Sequence, residues 1–324
     1  MIAMSLAVAW NKPPVWFMDI AGGGLGGWNA TAALGPLVRD QGAAALTLYQ
    51  GFGLLPMFGK NGSCHNRCLP QLADLNAHLA KVADDLNDST GPYYVPTNFS
   101  GVVTVDYEAW SPYWDEAPPA YHDSSIALQR NVTPGLNNTE LEVLARDAFQ
   151  SAGLNFFMRT VQTMRALRPA AKIGFYPYPQ LRLDWGTTRV AAMTAFMMPL
   201  YRELGSFTPS IYTLLRSGVE TTAARNSQSA ALPVFMSAML AQQIAAETGR
   251  PPALVAPFAW YRYHDGWPES GHFLSDDDFE MSFVEPFRVG ADAVLVWGYE
   301  PSDANKSDAI AYLEAHRDSF NGTV

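Results

Sequence analysis

Short runs of aliphatic, β-branched and aromatic residues recur along the chain. They lie at Leu6–Trp10, Ala44–Tyr49, Gly101–Asp106, Lys172–Tyr178, Pro209–Thr213, Leu254–Trp260 and Asp292–Trp297. Several are apolar throughout rather than alternating, the pattern of strands buried on both faces of a parallel sheet. Between them stand segments with helical spacing. Pro70–Leu86 places Leu72, Leu75, Leu79, Val82 and Leu86 on one stripe, and Asn138–Leu167 carries Leu144, Phe149, Phe156 and Met164 in its apolar set. Val190–Leu204, Ser227–Thr248, Asp276–Val289 and Ser307–Phe320 follow. Ser275 ahead of Asp276-Asp277-Asp278 reads as a helix start, a capping hydroxyl followed by acids at the positive end of the helix dipole. Strand–helix alternation over the whole length predicts an α/β chain, a single distorted (β/α) TIM-like barrel of about seven strands occupying residues 1–324.

Composition supports that picture. Of 324 residues, 48% are hydrophobic and 16% charged, which supplies a large core and excludes a disordered chain. Lys and Arg total 21 against 31 Asp and Glu, a net charge of -10. A general electrostatic footprint on nucleic acid is thereby excluded, and an anionic polymer would need a local basic patch. No apolar run approaches the roughly 20 residues of a membrane-spanning helix. Gly22-Gly23-Gly24-Leu25-Gly26-Gly27 lacks the GK[ST] of a phosphate loop and reads as a flexible loop. The two cysteines, Cys64 and Cys68, sit four apart in a turn-like stretch that allows one local disulfide. His65 and His78 lie nearby, but no second Cys/His pair completes a zinc pattern, so no metal or cofactor is expected.

Eight of the 14 asparagines open an N-x-[ST] sequon: Asn29, Asn61, Asn87, Asn98, Asn131, Asn137, Asn305 and Asn321. Composition alone gives roughly two, so the excess points to a glycoprotein of the secretory, lysosomal or endomembrane route. Met1–Trp10 has neither a basic segment nor a long apolar run, so no clear signal peptide is read in it.

The candidate chemistry sits at the end of the third apolar run, Gly101-Val102-Val103-Thr104-Val105-Asp106-Tyr107-Glu108-Ala109-Trp110. Residues two apart on a strand share a face, so Asp106 and Glu108 project together. In a parallel barrel the C-terminal strand ends form the active face. Repulsion between two close carboxylates favours keeping one protonated, and a protonated carboxyl can donate to a glycosidic oxygen. Polar aromatics mark other strand ends, at Tyr176 and Tyr178, Tyr212, Trp260–Tyr263, and Trp297–Tyr299. Such residues suit a carbohydrate cleft, where rings pack on sugars and hydroxyls fix orientation.

These blocks, in order, resemble the hyaluronidases, glycoside hydrolase family 56. Leu69-Pro70-Gln71-Leu72 running on to His78-Leu79 is similar to the family's PQ…HL segment, and Val105-Asp106-Tyr107-Glu108-Ala109-Trp110-Ser111-Pro112 to its I-D-[FW]-E-x-W-R-P signature. Arg168-Pro169 with Gly174-Phe175-Tyr176, Pro209-Ser210-Ile211-Tyr212, and Gly290-Ala291-Asp292 through Trp297 match three further blocks. The resemblance implies a retaining hydrolase of hyaluronan in which the substrate's own N-acetyl group is the nucleophile. It assigns Glu108 as acid and then base, Asp106 to the acetamido group, Tyr176 and Tyr212 to that group or the developing charge, Trp297 to the sugar face, and Tyr49 to the cleft. A polysaccharide, a glycosaminoglycan, is the implied partner. Three departures stand out. Ser111 replaces the signature's Arg, Gln50 follows Tyr49 where a small polar residue is usual, and the family's disulfide cysteines and C-terminal Cys-rich module are absent from this sequence. Arg182, Arg225 and Arg262 are the candidates for the cation that a uronate polymer would meet. Chondroitin, another N-acetylhexosamine polymer, or glycan binding without catalysis are the alternatives.

Overall fold

The computed structural model describes residues 14–21, 25, 28–40, 44–180, 186–214, 223–264 and 272–321. In chain order its elements are β1 (Trp16–Ala21), α1 (Ala30–Leu34), β2 (Val38–Asp40), β3 (Ala45–Leu48), β4 (Met57–Phe58), β5 (Cys64–His65), α2 (Leu75–Asn87), β6 (Val102–Asp106), α3 (Pro119–Val132), α4 (Asn138–Leu167) and β7 (Lys172–Tyr176). There follow α5 (Gly186–Tyr201), β8 (Ser206–Phe207), α6 (Ala223–Thr248), β9 (Leu254–Val255), β10 (Phe258–Trp260), α7 (Asp276–Phe283), α8 (Glu285–Val289), β11 (Val294–Tyr299) and α9 (Asp303–Ala315). Contacts group the chain into two compact units, one of Met1–Leu46, Pro177–Asp184 and Gly205–Val324, the other of Thr47–Tyr176 and Trp185–Leu204. The expected strand at Leu6–Trp10 and all of the Gly22–Gly27 stretch but Leu25 lie outside the described residues.

The first unit is built on parallel strands in the order β10-β11-β1-β2, with β8 and β9 as a further parallel pair. The expected runs Pro209–Thr213 and Leu254–Trp260 are only partly ladder. Pro209 and Pro257 have no N–H to give, so pairing is confined to Ser206–Phe207, a bridge from Ser210 to Phe258, and two short strands either side of Pro257. The expected helix over Asp276–Val289 likewise divides ahead of Pro286. Trp16 anchors the core. Its ring is fully buried, meets Phe287 and Phe320 edge-on, and donates its indole N–H to the Phe283 carbonyl at 3.0 Å. Burial of a ring of this size contributes about 2–3 kcal/mol.

The second unit holds β6, β7 and the end of β3, which form a three-stranded sheet in the order β3-β6-β7, and the helices α2, α3, α4 and α5. Strands β6 and β7 run parallel, in register from Val102 opposite Lys172 to Asp106 opposite Tyr176. All five residues of β6 are buried, as its unbroken apolar run predicts. The 30-residue α4 has the predicted bounds and starts with a capping box between Asn137 and Glu140. Its buried stripe runs Leu141, Ala145, Phe149, Gly153, Phe156, Phe157, Thr160, Val161 and Met164, steps of three and four along one face. Leu144 falls off that stripe and is exposed. Leu72 is exposed as well, because Asp74 caps Ala77 and starts α2 only at Leu75. Helix α3 had no readable apolar stripe: only Tyr121 and Ser125 are buried along it.

Candidate active site

Strand β6 ends at Asp106, and Tyr107 and Glu108 follow it directly. Tyr107 is fully buried, its ring packed on Phe157 of α4, Phe175 of β7 and His78 of α2. Asp106 is buried and Glu108 exposed. Tyr176, in register with Asp106 at the end of β7, is half-buried. Tyr49, also half-buried, directly follows β3, the other neighbour of β6. Four of the residues singled out in the sequence, Tyr49, Asp106, Glu108 and Tyr176, thus sit at the ends of three adjoining strands of one sheet.

The backbone that carries Glu108 is braced by the segment after β3. Tyr107 donates its hydroxyl to the Phe52 carbonyl at 2.7 Å, and Trp110 donates its indole N–H to the Pro56 carbonyl at 2.6 Å. Burial pushes the Tyr107 phenol well above its ordinary value, so it remains a donor. The same segment gives its Gly53 N–H to Asp85 at 2.8 Å and its Leu54 N–H to Nδ1 of His78 at 2.9 Å. Gly53 has φ +64, and a Cβ there would lie 2.6 Å from the His78 ring, so the close approach requires glycine. His78 is fully buried, its other nitrogen 2.9 Å from the Thr160 hydroxyl, and burial lowers it to about 4. Its Nδ1 therefore holds the loop, while its Nε2 is anchored to Thr160 of α4. Sequence periodicity did not reveal this bracing segment, because its bonds run through backbone carbonyls and amides. The Pro70–Leu86 pattern did mark the helix that supplies His78 and Asp85.

Tyr212 and Trp297 belong to the first unit. They form an aromatic cluster there with Trp260 and His264. Ring centroids are 5.8 Å apart for Tyr212 and Trp297, 5.0 Å for Trp260 and Trp297, and 5.3 Å for Tyr212 and His264, the last pair stacked. Tyr212 and Trp297 are half-buried and His264 is exposed. His264 carried no sequence signal beyond its place after Trp260–Tyr263. Behind the cluster, Glu300 is buried and accepts from Tyr261 at 2.9 Å and twice from the Arg262 guanidinium, at 2.9 and 3.1 Å. The guanidinium also lies 3.9 Å over the Phe273 ring. The charge of Arg262 is thus held by Glu300. Arg182 and the side chain of Arg225 fall outside the described residues. Ser111 is buried and its hydroxyl receives the Tyr113 N–H at 3.2 Å, a turn contact rather than a charge.

Cys64 and Cys68 are disulfide-bonded, with a Cα–Cα distance of 5.0 Å. Of the sequon asparagines, Asn305 is half-buried and the other seven are exposed. Asn29 and Asn137 cap α1 and α4 through their side-chain oxygens. Among the described residues no helix is long and apolar enough to cross a membrane.

Comparison with known proteins adds an independent line. The model of glycoside hydrolase family 56, hyaluronidase, matches residues 38–189. Hyaluronidase-3 of Sus scrofa is 28% identical over 270 residues, 76% of this chain and 58% of that protein. A chondroitin hydrolase of Caenorhabditis elegans is 32% identical over 148 residues, 44% of this chain and 31% of that protein. The chain therefore spans somewhat over half the length of the first of these relatives and less of the second. Among solved structures, bee venom hyaluronidase superposes with a TM-score of 0.79 at 21% identity, over 95% of this chain and 99% of that one. That likeness bears out the α/β, TIM-like fold read from the alternation of strands and helices. Over residues 38–189 the chain matches the hyaluronidase family, glycoside hydrolase family 56, and the relatives and the D-x-E strand end with its ordered neighbours agree with that match.

Proposed function

We propose that the chain is an endo-β-N-acetylhexosaminidase that hydrolyses hyaluronan with retention, the substrate's acetamido group serving as nucleophile and Glu108 as acid and then base. The observation that carries the reading is the strand end itself. Glu108 is exposed, Asp106 two residues before it is buried, and Tyr107 between them is buried with its hydroxyl bonded to the Phe52 carbonyl. An exposed carboxyl on a braced backbone can reach a leaving oxygen, give its proton, and later take one from the incoming water. The buried Asp106 is placed to orient the acetamido N–H and to support the positive charge of the cyclic intermediate. Tyr176, in register with Asp106, supplies a hydroxyl for the same group, and Tyr49 lines the neighbouring strand end. Tyr212 and Trp297 we assign to sugar contact, because their half-buried rings cluster with Trp260 and His264 as a stacking surface. A structure of bee venom hyaluronidase in complex with a hyaluronic acid tetramer, similar at TM-score 0.73, supports the substrate class. The sequon excess supports a glycoprotein handled by the secretory route.

One specific pair of facts favours a second substrate. Ser111 stands where the family signature has Arg, and the relative of Caenorhabditis elegans that matches this chain is a chondroitin hydrolase. Chondroitin would be cut by the same residues. The test is depolymerisation of hyaluronan, chondroitin and chitin oligomers by wild type and Glu108→Gln, with product sizing. We expect even-numbered hyaluronan fragments and a loss of at least about a thousandfold in kcat for the variant, which keeps the shape of Glu108 but has no proton to give. Cutting of chondroitin alone would keep the mechanism and move the substrate. Equal activity of wild type and Glu108→Gln would remove Glu108 from the chemistry. Binding without cutting by the wild-type glycoprotein would make it a glycan-binding protein.

A further inference from the structure

Nothing in the proposed reaction uses the Cys64–Cys68 disulfide. Its surroundings say what it does. The disulfide closes a small ring at the base of the β4–β5 hairpin, and that ring encloses His65, Asn66 and Arg67. Asn66, Arg67 and Cys68 all have left-handed backbone, with φ of 40, 63 and 64. One such residue is tolerable, particularly an Asn, but three in succession are unfavourable and persist only where the surroundings impose them. Here the cross-link and two local bonds impose them: Cys68 N–H to the His65 carbonyl at 2.8 Å, and Leu69 N–H to the Arg67 carbonyl at 2.7 Å.

The result is a fixed direction for the Asn66 amide. Its nitrogen donates to the Leu54 carbonyl at 2.7 Å, and its oxygen accepts the Asp74 N–H at 2.8 Å, next to the start of α2. Leu54 lies in the bracing segment, between the carbonyls of Phe52 and Pro56 that hold Tyr107 and Trp110. Those two side chains stand one residue before and two residues after Glu108. A continuous series of contacts, all within the second unit, therefore runs from the disulfide through Asn66 and the 52–56 backbone to the residues flanking the acid.

We propose that the disulfide and Asn66 form a positioning clamp for Glu108. The cross-link makes the left-handed run affordable, the run aims the Asn66 amide, and the amide fixes the segment on which Tyr107 and Trp110 are anchored. Neither Asn66 nor the cysteines touch substrate in this scheme. The inference rests on the proposed role of Glu108, but the clamp itself has a readout apart from activity.

Three variants test it: Asn66→Asp, which keeps the acceptor for Asp74 N–H and loses the donor to Leu54; Cys64→Ser with Cys68→Ser; and the triple combination. Hydrogen exchange is measured at the Gly53 and Leu54 amides and the Trp110 indole N–H. Activity is measured as kcat and KM on the cleaved polymer. The clamp requires exchange to rise by roughly tenfold or more in Asn66→Asp and in the cysteine double variant, with the triple variant no faster than either, since all interrupt one series of contacts. It also requires kcat to fall by about 3- to 30-fold with KM nearly unchanged, because a displaced acid harms the chemical step before it harms binding. Unchanged exchange in either variant overturns the clamp, as do effects that multiply in the triple variant. Raised exchange with wild-type kcat overturns its positioning role. A wild type that cuts no polymer overturns the functional reading instead, and exchange alone then decides whether the clamp exists.

Discussion

Tyr107 shows how one residue sets the direction of its neighbours. Its ring is held among Phe157, Phe175 and His78 and its hydroxyl is tied to Phe52, so the chain cannot rotate by one position without exposing a large ring and leaving a buried carbonyl unbonded. His78 does a similar task for the bracing segment and adds a pH dependence. In the folded chain it titrates at about 4, against about 6.5 when unfolded. Between those values the unfolded chain binds more protons than the native one, so stability falls as pH drops from about 6.5 to about 4 and levels off below. The full loss attributable to this group is roughly 3 kcal/mol. Urea unfolding of wild type and His78→Gln at several pH values from 7 to 4 checks it. The variant should be less stable at neutral pH, for want of a ring acceptor for Leu54 N–H, and should lose less on acidification. Parallel pH profiles for the two proteins would dismiss His78 as the source.

Among the elements, α4 was the most legible, since a long helix repeats its pattern many times, although the capping box of Asn137 and Glu140 at its start was not read. The end of β6 was legible as well: its unbroken apolar run marks a strand buried along its whole length, with Asp106 as its last residue. What escaped was Gly153, an unremarked glycine in the middle of α4. A Cβ there would lie 3.0 Å from the Trp110 ring and 3.3 Å from the Pro112 Cα. Trp110 has little room to yield, because its indole is bonded to Pro56. Alanine normally gains about 1 kcal/mol over glycine in a helix, but overpacking costs about 1–3. Gly153→Ala should therefore lower the thermal midpoint, and a calorimetric or circular-dichroism melt that rises instead would show that Trp110 and Pro112 can move apart. The proline-interrupted strands around Pro209 and Pro257 were the least legible. Their apolar runs read as continuous, whereas the ladder depends on which N–H groups exist and face a partner.

At the scale of the whole molecule, charge was readable as a total and unreadable as a distribution. The net charge of -10 follows from composition, and it opposes the approach of a uronate polymer at long range. Screening should relieve that opposition, so KM for hyaluronan should fall as salt rises from about 10 mM to about 150 mM. Initial rates across that range check it, and a KM that rises with salt would reveal a local cationic track strong enough to outweigh the total. Arg262 illustrates why residue type alone could not answer this. In the sequence it was a candidate cation; in the fold its guanidinium is buried, paired with Glu300 38 positions away and stacked on Phe273. The sequence by itself determined the features that rest on local period and on chemistry carried by neighbours: the α/β alternation, the buried run of β6 that ends at Asp106, the Ser275 cap, and the sequons. Tertiary structure alone decided the features that depend on residues distant along the chain: the stacking of Tyr212 with His264 and its approach to Trp297, the engagement of His78 and Asp85 with a loop, and the route from Cys64–Cys68 to Trp110. The physical reason is that periodicity reports which way a side chain points, whereas partnership depends on what long-range folding brings within a few ångströms of it.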